Sequence, residues 1–327
     1  MAPHIEPKEP VNEAEVGYYI VDDGDELLWK QFVDLVKEEH WTTDDNAELA
    51  LTPTAPSTRA VFARKKTDSS FVGCIVWNEY DGIAWIGFYL MHPTARGLGI
   101  GSILWDRALA RISKDRILGL RSIPDMAEKY KARYLPHEVG SATRYEFTYD
   151  QLAQICAAIG TASEYKLKSV KELSDEEFAK LLQFDQEVTK RDRSAFLRGF
   201  YKVPLTEGVA LFGADGSVIG SGAVTSTCTE ETKLFKLAPV YASSPIEAAA
   251  IIHQLVKVCQ GIAPDYNMQI HLLSGTAGEE LRRTFHEVVP DVKPGVPLRT
   301  LYSKEYKNPI DTTRLFVPHN NTCHFDA

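Results

Sequence analysis

The stretch "HPTARGLGIGSILWDRALAR", His92 to Arg111, sets glycine at alternate positions 97, 99 and 101. Before it runs "IAWIGFYLM" (83–91), apolar on both faces, the pattern of a strand inside a covered sheet. After it, Leu104, Ala108 and Ile112 recur at helical spacing. A strand, a glycine loop and a helix start packed this tightly suit an anion. Glycines let successive N–H groups turn into one concavity, and the helix start adds about half a positive charge. Two common phosphate loops do not fit. The dinucleotide fingerprint G-x-G-x-x-G needs glycine where Ser102 stands, and it follows the first strand of its unit, whereas this loop follows the fourth. A P-loop needs Lys and Ser or Thr after its last glycine, but Gly101 is followed by Ser102 and Ile103. What remains is R-x-x-G-x-G, Arg96 to Gly101, a cradle that takes a pyrophosphate without a lysine.

Outward from the loop, residues 16–150 read as β-α-(α)-β-β-β-α-β-α-β. "DELLWKQFVDLVKEEHW" is a helix with Asp25 as N-cap, and Asp81–Gly82 marks a hairpin. "DMAEKYKARYL" is a helix and "SATRYEFTY" a strand; 151–162 covers a helix and a joint. From residue 165 the order repeats. Ser174 and Glu177 have capping-box spacing, Asp215–Gly216 is a second hairpin turn, and "RTLYSKEY" closes the half. The expected organisation is a tail at 1–15, α/β domains at 16–160 and 161–305, and a C-terminal tail at 306–327.

A chain of 327 residues, 44% apolar and 25% charged, can build two full cores. The net charge of −9 argues against a general nucleic-acid binder and mildly favours cationic substrates. Cys74, Cys156, Cys228, Cys259 and Cys323 form no C-x-x-C pair, so neither a zinc site nor a disulfide framework is expected. No run of about 18 apolar residues suggests a membrane span, and the start lacks a signal-peptide core. A cytoplasmic protein with no metal and no membrane partner fits; oligomeric state is not legible.

"FYLMHPTARGLGIGSIL" resembles the coenzyme-A loop of the GNAT superfamily of acyl-CoA N-acyltransferases, and the order of elements around it is similar. "LAPVYASSPIEAA" (237–249) and "FDQEVTKRDRSAFL" (184–197) resemble the C-terminal domain of tandem-GNAT proteins, and "EEHWTTDD" (38–45) the loop after the first helix in that group. The resemblance implies a mixed α+β fold: two tandem GNAT-like domains, each a mostly antiparallel sheet flanked by helices. The second lacks R-x-x-G-x-G and is degenerate for coenzyme A.

It also implies roles. Gly97, Leu98, Gly99, Ile100, Gly101 and Ser102, with Arg96, would cradle the pyrophosphate of acetyl-CoA. Backbone N–H of Leu90 or Met91 would polarise the thioester. Tyr130 would protonate the leaving thiolate, with Tyr134, one turn on, as competitor. "IAWIGFYLM" has no carboxylate for a base; His92 is the candidate, and a water chain the alternative. Trp41, Asp44 and Asp45 would border the acceptor. Asp185, Asp192 and Arg193 match a pattern of the related proteins, and a buried Asp–Arg pair holding the helix is their expected role. The expected activity is acetyl transfer to the amine of a small molecule or amino acid by direct attack in a ternary complex. The alternatives are a non-catalytic acyl-CoA-binding or sensing scaffold and a nicotinamide-dependent oxidoreductase.

Overall fold

A computed structural model describes residues 17–41, 45–160 and 165–319 of the chain. The expected tail at 1–15 and Asp44 lie outside these residues. The first half runs β1 (Tyr18–Asp22), α1 (Glu26–Glu38), α2 (Asn46–Leu51), β2 (Thr58–Lys65), β3 (Phe71–Tyr80), β4 (Ile83–Met91), α3 (Ile100–Arg111), β5 (Ile117–Ser122), α4 (Pro124–Arg133), β6 (His137–Phe147) and α5 (Tyr149–Ile159). The second runs β7 (Lys166–Ser169), α6 (Asp175–Thr189), α7 (Ser194–Phe200), β8 (Thr206–Phe212), β9 (Val218–Ser226), β10 (Leu234–Tyr241), α8 (Pro245–Ile262), β11 (Asn267–Leu273), α9 (Gly278–Val288), β12 (Leu298–Tyr302) and β13 (Leu315–Val317). The anticipated element order holds in the first half, and in the second with α7 and β13 added to it.

Local chemistry explains the boundaries. Asp25 accepts from the Leu28 N–H and starts α1. Ser174 and Glu177 close a reciprocal capping box on α6, and Thr148 with Gln151 closes another on α5. Two apolar layers cover the first half. Leu28, Phe32, Leu35 and Val36 of α1 pack on Phe62, Val76, Trp85 and Phe88. On the opposite face Ile100, Leu104, Trp105 and Ala108 of α3 pack on Ile75, Trp77 and Ile86. Arg111 pins α3 to the first strands, donating to the Ala60 carbonyl and the Asp23 carboxylate.

The sheet is continuous across both halves, in the order β1-β2-β3-β4-β5-β12-β6-β11-β10-β9-β8-β7, with β13 paired to β10. The domains expected at 16–160 and 161–305 are therefore not separate. The closing strand β12 lies between β5 and β6 of the first half, and β6 pairs over Ala142–Phe147 with β11 of the second. Alternating patterns mark a strand but not its neighbour, so this exchange was invisible in the sequence. Nor is 306–327 wholly a tail: Ile310 is buried and β13 completes the second half. No described helix is long and apolar enough to cross a membrane.

Among the described strands only β4–β5 and β10–β11 pair in parallel. Strands β4 and β5 run together over Ile83–Ile86 and Ile117–Leu120. Past that point β4 follows β3, while Arg121 and Ser122 follow β12. A bulge between the Val76 and Trp77 rungs falls at Gly87 and turns β4 away. The result is a wedge between two strands of one sheet.

Candidate active site

The wedge is lined by main chain. His92 donates to the Val72 carbonyl at 2.8 Å. Hydrogen-bonded rungs alternate in an antiparallel pair, so residues 92, 90 and 88 bond β3, whereas Tyr89 and Met91 direct N–H and C=O into the wedge. Arg96 Nε donates to the Met91 carbonyl there, at 3.0 Å. Leu90, expected to offer its amide with Met91, is turned the other way. Its carbonyl lies against Gly73, where a Cβ would come within 2.6 Å of it. By strand register the amide that faces the wedge beside Met91 is that of Tyr89, a residue the sequence did not single out.

Beyond the strand, His92 opens a single helical turn at Pro93–Ala95. Its Nδ1 accepts from the Thr94 N–H and lies 2.8 Å from the Thr94 hydroxyl. That makes it a loop brace, with Nε2 left over. Arg96 also pairs with Glu39 at the end of α1, so it ties the loop down. Gly97 and Gly99 have φ of +80° and +82°, a left-handed conformation that side chains strain to adopt. Gly99 is the N-cap of α3, and Ser102 N–H reaches back to its carbonyl at 3.0 Å. Among the described residues no backbone partner takes the amides of Gly97, Leu98, Gly99, Ile100 and Gly101. Ile100 is fully buried and anchors the turn, while Leu98 and Ser102 face outward.

Four aromatic rings floor the wedge. Trp105 stacks on Tyr130 (5.2 Å, 27°), leans on Tyr134 (5.0 Å, 34°) and meets Tyr89 edge-on (5.7 Å). The Tyr89 hydroxyl reaches Gly101, where a Cβ would sit 2.2 Å from it. Burial, and then neighbouring Tyr89, push the Tyr130 phenol above its ordinary range. Burial likewise pushes Tyr89 up to about 12. A phenol held neutral keeps a proton to give.

The opposite face behind the bulge is filled. Phe88 stacks against Trp41 (5.8 Å, 21°) and meets Phe32 edge-on (4.9 Å), and Trp85 tilts against Tyr302. Trp41 is part of this wall, its carbonyl accepting from the Cys228 thiol. Asp45 is not an open acid on a pocket wall. It caps α2, accepting from the Glu48 N–H at 2.6 Å, and ion-pairs with buried Lys236 of β10 at 3.3 Å. A carboxylate 2% exposed with a cation beside it ties the halves together. Of the residues expected to give a buried Asp–Arg pair, Asp185 and Arg193 form it, and Arg193 also donates to the Tyr241 hydroxyl at 3.1 Å, whereas exposed Asp192 accepts from the Ser194 N–H. A cavity of about 430 Å³, lined by Pro56, Tyr80, Arg191 and Phe196 among others, sits at the hairpin that opens β4, the opposite end of that strand from Met91. Among the described residues no cluster of His, Cys, Asp or Glu could hold a metal.

The second half builds the same divergence and closes it. β10 runs with β11 over Leu234–Leu237, and past a cis Ala238–Pro239 bond β13 pairs to its end. The segment that should carry glycines is Ser243-Ser244-Pro245, with Ser244 capping α8.

Comparison with known proteins agrees with this geometry. The model of the acetyltransferase (GNAT) family matches residues 21–127. Protein F36G3.2 of Caenorhabditis elegans is 37% identical over 316 residues, covering 96% of this chain and 99% of the relative. Holothin acyltransferase of a Pseudoalteromonas species is 28% identical over 177 residues, 54% of each chain. Among solved structures, a tandem GNAT protein from the clavulanic acid biosynthesis pathway is similar with a TM-score of 0.64 at 16% identity, covering 89% of this chain and all of that one.

Proposed function

Because the chain belongs to the GNAT family of acyl-CoA-dependent acyltransferases, we propose that its first half moves an acetyl group from acetyl-CoA to the amine of a small molecule or amino acid. One observation carries this reading: the unpaired amides of 97–101 and those of Tyr89 and Met91 border one wedge. The first set would hold the pyrophosphate, and the Met91 and Tyr89 amides the pantetheine and the thioester oxygen. The aromatic wall of Phe88, Trp41 and Trp85 supports a short acyl group, since a long chain would have to displace packed rings.

The amine nitrogen attacks the thioester carbon, the carbonyl oxygen gathers negative charge against strand amides, and the C–S bond breaks. Tyr130 gives its proton to the departing thiolate. No carboxylate stands on β4 and His92 Nδ1 is held by Thr94, so the ammonium proton leaves through water. The second half, its wedge occupied, supplies Lys236 and β12 to the first and binds no acyl-CoA of its own.

Calorimetry with acetyl-CoA and release of free coenzyme A over an amine panel test the reading. Tyr130→Phe is expected to lower kcat about 100-fold or more while acetyl-CoA affinity stays within about twofold. Binding of acetyl-CoA with no turnover on any amine would instead favour a sensing scaffold.

A further inference from the structure

Of the three glycines in the loop, two are required by their backbone and one is not. Gly97 and Gly99 turn left-handed, whereas Gly101 lies in α3 without a positive φ. Glycine inside a helix is less stable than alanine, so its presence at 101 asks for a reason. Tyr89 supplies one. A Cβ at 101 would lie 2.2 Å from the phenolic oxygen and 3.2 Å from the ring carbon that bears it. The hydroxyl end of the ring, not its flank, abuts the start of α3.

The ring is held in that place. Trp105 meets it edge-on at 5.7 Å and 69°, and Tyr130 and Tyr134 pack on the same indole. Yet the oxygen has nothing to bond. Among the described residues no group donates to it or accepts from it, and it is not one of the sealed polar atoms, so it opens to solvent. Burial of the ring raises the phenol to about 12, so the proton stays on it for donation.

Beside it stands an amide in the same condition. The Gly101 N–H precedes the first intrahelical bond of α3 and has no backbone partner among the described residues. On one Cα, N and Cβ are about 2.5 Å apart, so the hydroxyl and the Gly101 nitrogen lie within about 5 Å of each other. Each donor reaches about 2.8 Å, so a single acceptor oxygen can take both. A charged oxygen makes such bonds strongest, and the positive end of α3 favours one there. The amide and thioester oxygens of a pantetheine arm carry no charge; a phosphate oxygen does.

Resting on the acyltransferase reading above, we propose that Tyr89 is a side-chain ligand of the pyrophosphate, its hydroxyl donating to the oxygen that also accepts from the Gly101 N–H. The residue then serves the acyl carrier twice, by main chain in the wedge and by side chain at the loop. It favours a carrier that bears phosphate over one that ends at pantetheine.

The test uses the intact protein with acetyl-CoA and with S-acetylpantetheine, which has no phosphate. Calorimetry reads the first directly and the second by its displacement of acetyl-CoA. Tyr89→Phe is expected to weaken acetyl-CoA about tenfold and to cut the preference for it over S-acetylpantetheine by about the same factor. Gly101→Ala, whose methyl displaces the hydroxyl, should cut that preference similarly by itself, and by less than about twofold when added to Tyr89→Phe. A preference that Tyr89→Phe leaves intact, or losses that multiply in the double variant, overturns the assignment. Failure of the unsubstituted protein to bind acetyl-CoA overturns the acyltransferase reading instead.

Discussion

Between β4 and β5 the chain leaves a wedge; between β10 and β11 it lays its own β13. Both wedges arise the same way, from a parallel pair that holds for four rungs and an outer strand thrown off by an irregularity. The difference lies in the segment that leaves the outer strand. After β4 come glycines that leave amides unpaired; after β10 come Ser243, Ser244 and Pro245, whose Ser244 caps the next helix. Main chain left without partners needs a ligand or water, and main chain given a strand does not. A duplicated architecture thus has one half whose loop amides are left unpaired and one half whose own strand fills the divergence.

The largest expected effect comes from the plug. Phe316 of β13 is 1% exposed, and its carbonyl presses on Gly278 so closely that a Cβ there would sit 2.5 Å from it. Phe316→Ala should cost about 3–5 kcal/mol of stability by urea unfolding. It should not create a second acetyl-CoA site, so calorimetric stoichiometry stays at one; a value of two would break the comparison.

Next is the loop itself. Gly99→Val puts a β-branched residue at φ +82°. Relief of about 1–3 kcal/mol of strain would turn the amides aside and weaken acetyl-CoA about 100-fold. The counterpart Ser244→Val should cost about 1 kcal/mol of stability through the lost α8 cap, with acetyl-CoA affinity unchanged.

The smallest effect concerns the seam. Arg299 of β12 bonds Glu138 of β6, and that hydrogen bond holds the Glu138 carboxyl at about 2, below its usual 4.5. A depressed carboxyl contributes stability at pH above its unfolded value and loses it as pH falls through the folded one. Unfolding midpoints should therefore fall between about pH 4.5 and pH 2, and Glu138→Gln should flatten that slope slightly.

Much of this was legible in residues alone. The hairpins, caps and helical faces lie in local chemistry, and so does the left-handed turn of the glycine loop, because φ above zero and unpaired amides are properties of a short segment. What stayed hidden depends on partners far along the chain. The turn of Leu90 toward β3 is set by register with Val72 and His92. Asp45 reads as a solvated acid until Lys236, remote in sequence, is placed beside it. His271 looks like one more strand residue until register sets Arg144 opposite it and burial leaves its ring without a partner among the described residues. The alternation of "NMQIHLL" with Gln269 and His271 off the apolar face was the available clue.

The exchange of β12 and β6 bears on how the protein is born. A ribosome releasing the first 160 residues yields a β5 whose outer edge lacks β12, and a β6 lacking both β12 and β11. Those neighbours emerge only with residues 267–302, so the sheet of the first half closes near the end of synthesis. Truncating translation, or expressing the front portion by itself, should leave raw edges that chaperones must shield, and gene fission between the two units would forfeit both.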